Sequence, residues 1–105
     1  MTPTVSLAAV TAVHFRPLLR ESFQITLPGG EKVTATLAEL TEHKPPHPDL
    51  RAPFSLIFHL PRDPRAPRPA QGVLTVEHPA IGLLEVFAVP LQTVGDVAPW
   101  QIIFG

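Results

Sequence analysis

The sequence predicts a mainly β domain: a small antiparallel barrel or sandwich of about six strands, with short helical turns at the N-terminus. Three observations carry that prediction. Fourteen prolines are spread along 105 residues. Each removes a backbone donor and fixes φ, so no window is left for a long helix. Several runs alternate apolar and polar residues with period two, the pattern of a half-buried strand. The length suits one compact domain, residues 1–105, with no room for a second core.

The helical zone is confined to residues 5–21. Ser6 and Thr11 are each able to cap a short turn and Pro17 to open another, over "SLAAV" and "PLLRES". "SFQITL" (22–27) then sets Phe23, Ile25 and Leu27 against Ser22, Gln24 and Thr26. "PGG" is a turn signal, and "KVTATLAEL" follows with Val33, Ala35, Leu37 and, less cleanly, Leu40 on its apolar side. These two runs make the clearest hairpin.

Two stiff loops flank the next strand. Residues 43–53 are too rich in proline for a strand interior, and 61–70, "PRAPRP" within "PRDPRAPRPA", repeats the pattern. Between them "FSLIFHL" (54–60) alternates Phe54, Leu56, Phe58 and Leu60 with Ser55, Ile57 and His59. "GVLTVEH" and "LLEVFAV" read as two more strands joined by "PAIG", and "WQIIF" as the last. "LLEVFAV" is apolar on both faces except at Glu85, which fits a central strand covered on both sides or one lining a barrel. Glu85 either faces outward or pairs with Arg51 or His59.

Composition narrows the function. Eight Lys plus Arg against nine Asp plus Glu give a net charge of −1, with no basic footprint for nucleic acid or an anionic membrane. There is no cysteine, so disulfides, thiol nucleophiles and thiolate zinc sites are excluded from this chain. No run approaches the roughly 18 apolar residues of a membrane span, and "MTPTVSLAAVTAVHF" lacks the charged n-region of a secretory signal, so a cytoplasmic location is expected.

Candidate chemistry is sparse. His43 and His47 have the i, i+4 spacing of a helical zinc pair, but they flank "KPP", where no helix forms. His59 and His78 fall near strand ends and could meet across the sheet, but a pair of half-exposed histidines at a sheet rim is the plainer reading. Ser55 shares a strand face with His59, yet four strand residues span roughly 13 Å, too far for a direct hydrogen bond. Glu39, Glu42, Glu77 and Glu85 form no evident acid pair. No catalytic residue, cofactor site or metal site is expected, and the chain reads as a non-enzyme.

The most distinctive local feature is the spacing of Pro61, Pro64 and Pro67 with Arg62, Arg65 and Arg68. Three residues per turn is the polyproline II repeat, which aligns the arginines along one edge. Arg62, Arg65 and Arg68 are thus the candidate contacts for an acidic partner; a rigid, solvated connection is the plainer reading.

In order, "FRPLLRESFQI", "LAELTEH", "APFSLIFHLP", "AQGVLTVEHPAIGLLEVFAVP" and "WQIIF" resemble a family of small bacterial proteins described as a domain of unknown function, DUF6916. Gln71, Gly72, His78, Pro79, Gly82, Phe87, Val89 and Pro90 match its pattern. Leu74 stands where an aromatic is usual, Arg20 where a glycine precedes the first strand, and the 61–70 loop is longer and richer in proline. The resemblance implies no catalytic residues and an association with phage-tail-like proteins. The leading expectation is therefore a structural or adaptor protein that binds another protein or itself, through the arginine loop or an exposed edge strand. A small-ligand-binding β-barrel is the alternative, and a hydrolase using His59 or His78 the third.

Overall fold

In a computed structural model the described residues are 10–49, 52–62 and 71–104. A one-turn helix, α1 (Ala12–Phe15), runs into a 3₁₀ turn at Arg16–Leu18. Six strands follow: β1 (Ser22–Thr26), β2 (Lys32–Glu42), β3 (Phe54–Pro61), β4 (Gly72–His78), β5 (Gly82–Pro90) and β6 (Val97–Phe104). They close into an antiparallel barrel in the order β1-β2-β3-β6-β5-β4. Thr11 precedes α1, its N–H donating to Nδ1 of His14 at 2.9 Å, and Pro17 opens the 3₁₀ turn. Most of "SLAAV", with Ser6, lies outside the described residues.

Alternation builds the interior. Phe23 and Ile25 of β1, Leu56, Phe58 and Leu60 of β3, Leu74 and Val76 of β4, Leu84, Val86 and Ala88 of β5, and Trp100 and Ile102 of β6 all point inward and are buried. The period-two rule falters at Leu40, and the reason is a β-bulge. Leu37 pairs with Phe58 and Glu39 with Ile57, so Ala38 is an extra residue on β2 that shifts the parity of everything after it. Leu40, opposite Leu56, thereby regains the inner face.

The N-terminal turns plug one end. Phe15 is wholly buried, its ring 5.9 Å from Phe54 and 5.8 Å from Phe104, while Phe54 and Phe104 stack at 4.4 Å. Arg20, where the family pattern has glycine, takes φ 73, the left-handed conformation that costs a side-chain-bearing residue roughly 1–2 kcal/mol. Its N–H donates to the Leu37 carbonyl at 2.8 Å, extending the β1–β2 ladder around this corner.

β5 resolves into one of its two expected settings. It lines the barrel with Leu84, Val86 and Ala88, but it is not covered on both sides: Phe87 is 56% exposed, and Glu85 faces outward. None of the described helices is long and apolar enough to cross a membrane.

Candidate functional site

The histidines separate on the barrel wall. His59 and His78 do not meet across the sheet. β3 lies between β2 and β6, and β4 between β1 and β5, so two strands separate them in either direction. His59 is exposed opposite Thr36 and Pro99. His78 is not half-exposed but buried at the plugged end, with its ring centroid 4.7 Å from that of Phe23. Its Nδ1 accepts the Ala80 N–H at 3.0 Å, which leaves Nε2 as the donor to the Glu21 carboxylate at 2.9 Å. The Ile81 N–H donates to the His78 carbonyl at 3.1 Å, and Gly82 follows at φ 87. "HPAIG" is therefore a turn that His78 organises and anchors to the chain entering β1.

His43 and His47 face different partners. His47 Nδ1 accepts the Asp49 N–H at 3.2 Å, and His43 Nε2 stands 3.4 Å from Ser55 Oγ. The serine–histidine approach is thus with His43 across the β2–β3 connection, not with His59 along the strand. Sequence reading missed it because the contact depends on how the 43–53 loop closes, which the Pro53 carbonyl fixes by accepting the His43 N–H at 2.8 Å. Among the described residues no carboxylate hydrogen-bonds to His43, and no cluster of three or more acidic or histidine side chains has the geometry for a metal ion.

Of the three loop arginines, Arg62 alone is described. Its Nη1 donates to the Gly95 carbonyl at 3.2 Å and its backbone N–H to the Asp96 carbonyl at 2.9 Å, tying the end of β3 to the β5–β6 connection. Arg65 and Arg68 lie outside the described residues. Glu42, unpaired in the sequence reading, holds Arg16 at 2.7 Å on the surface.

The feature that sequence reading did not locate is the seam between β5 and β6. The two strands pair only at Val89–Gln101 and Pro90–Trp100. Beyond that point β5 continues along β4 from Ala88 to Gly82, and β6 continues along β3 from Ile102 to Phe104, so among the described residues each keeps one edge without a strand partner. In an antiparallel ladder about half of the N–H and C=O groups point to each side, so the free edge of β5 presents a row of main-chain donors and acceptors. An apolar cleft of about 280 Å³ opens between the strands, lined by Val86, Phe87, Val89, Ile102, Ile103 and Phe104 together with Gln101. Phe87, Val89 and Ile103 rim it on the outside, with Ile103 68% exposed, and Val73 extends the apolar surface opposite Phe87.

A small closed antiparallel β-barrel whose β5–β6 seam pairs at only two positions among the described residues is the class these features define. Its family follows from comparison: the model of the domain of unknown function DUF6916 matches residues 10–104, and the chain belongs to that family. No curated protein and no solved structure matches the chain.

Proposed function

We propose that this domain is a non-enzymatic protein-binding module that engages its partner along the open β5–β6 seam. One observation carries the reading: among the described residues the run Gly82–Ala88 has a strand on one side only, and it carries an exposed aromatic beside an apolar cleft. Edge strands are ordinarily blunted by lysine, proline, bulges or a covering loop. Residues 83–88 hold no lysine and no proline, and they pair with β4 without a break in register. A long apolar edge of this kind is a template for an added strand.

Two further observations favour a protein partner over a small molecule or a substrate. Phe23, Phe58, Trp100, Leu84 and Ile102 are buried in the barrel interior, and the apolar cleft lies on the outside of the barrel between two strand edges. The nearest serine–histidine approach is at the outer limit of a hydrogen bond.

The test is affinity co-purification of the tagged full chain from its native host, run beside a Phe87→Asp/Ile103→Asp variant and an Arg62→Ser/Arg65→Ser/Arg68→Ser variant. A stoichiometric protein lost only from the seam variant supports the reading. Loss only from the arginine variant moves the contact to the 61–70 loop. An adaptor role in a phage-tail-like assembly is the most specific form of this proposal, and a tail structural protein as the retained partner is its test.

A further inference from the structure

The open edge of β5 carries a charge pattern as well as main-chain groups. Along its outer face run Leu83, Glu85 and Phe87, and along the inner face Leu84 and Val86. Glu85 is exposed at the centre of the unpaired run, and Glu77 stands on the same outer face of the neighbouring strand, opposite Leu83. Neither carboxylate makes an ion pair among the described residues.

That pattern discriminates between occupants. If a second copy added its own β5 by two-fold antiparallel pairing over Gly82–Ala88, the pair at the centre would be Glu85 opposite Glu85. Like charges directly opposite one another destabilise a ladder, whereas opposite charges stabilise it. The central carboxylate therefore disfavours self-pairing and favours a basic residue on the incoming strand. Its flanking positions face Val86, which lines the cleft with Ile102 and Phe104, and Leu84, which is buried on the same inner face, so they suit aliphatic residues. A strand antiparallel to β5 runs parallel to β6. The seven-residue β5 edge, longer than the three residues of β6, sets the direction.

We propose that the β5 edge takes an extended segment of a partner protein, antiparallel, with lysine or arginine opposite Glu85 and aliphatic residues opposite Val86 and Leu84. This rests on the protein-binding reading above and gives it a sequence preference: aliphatic–basic–aliphatic on consecutive positions.

The probe is a capped synthetic peptide, TVKVT, titrated into the isotopically labelled full chain by NMR, with TVEVT as its control. The lysine peptide binds about fivefold more tightly than the glutamate peptide. Its shift perturbations fall on residues 83–88 and 102–104, and Glu85→Lys, a surface substitution, reverses the preference. Equal affinities, no reversal, or perturbations elsewhere overturn the inference. So does a concentration-dependent dimer dispersed by Phe87→Asp/Ile103→Asp, which would seat a second copy on the edge, or contacts from residues 2–9 to β5 in the free protein. If neither peptide binds while a protein partner is still released by Phe87→Asp/Ile103→Asp, this inference fails and the protein-binding reading stands. If both experiments are negative, both fail.

Discussion

Strand β6 meets its two neighbours unequally. Against β3 it pairs along its whole length, from Phe54–Phe104 to Pro61–Val97, and the inner side chains of that seam, Phe58, Trp100, Leu56 and Ile102, are buried. Against β5 it pairs at two positions and then parts, leaving Phe87 and Ile103 exposed over an apolar cleft. The two seams share one strand, so propensity in β6 does not explain the difference. What differs is the route of the partners. β5 follows β4 as a hairpin fixed by the "HPAIG" turn, β6 follows β3, and the two pairs of strands meet only near Pro90 and Trp100. Stability is concentrated on one side of β6 and accessible main chain on the other.

Several substitutions break or sharpen that contrast. Trp100→Ala or Phe58→Ala removes a large side chain from the closed seam and is expected to cost about 3–5 kcal/mol, enough to unfold much of a domain this size; denaturant melts check it. Phe87→Ser at the open seam is expected to change stability by no more than about 0.5 kcal/mol in the same assay. A large loss there would mean that Phe87 is a packing residue and the seam is closed in solution. His78→Ala removes a buried ring packed on Phe23 together with its hydrogen bonds to Ala80 and Glu21, for an expected loss of about 1–3 kcal/mol. Arg20→Gly acts in the opposite direction. It relieves a left-handed side chain at a cost in backbone entropy, for a net gain of about 0.5 kcal/mol. Arg16→Ala is also mild: its pair with Glu42 is half exposed, so a loss of about 0.2–1 kcal/mol is expected, diminishing at high salt.

The fold was largely legible because period-two alternation and proline punctuation are local signals. "SFQITL", "FSLIFHL" and "GVLTVEH" became strands within a residue or two of their expected limits. Leu40 looked anomalous because a bulge at Ala38 is a property of the β2–β3 pair, not of β2 alone. The distinction between barrel and sandwich turns on closure across β1–β4 and β5–β6, contacts between segments far apart in the chain that no local pattern encodes. The seam was hidden for the same reason. "LLEVFAV" announces apolar faces, but only the strand order reveals that one edge is left open and that Phe87 is exposed while Val86 is buried. His78 was read as a rim residue because its ring packs on Phe23 and pairs with Glu21, residues more than fifty positions earlier in the chain.

Among the described residues the β5 edge is open along Gly82–Ala88 while the β3–β6 seam is closed. Residue-resolved amide hydrogen exchange of the full chain tests it most directly, since exchange reports local opening and unpaired amides. The account predicts that alternate amides between Leu83 and Ala88 exchange rapidly, with their intervening neighbours protected by β4, while the amides of Ser55 to Leu60 are protected throughout. Uniform protection along β5, equal to that of β3, would contradict it.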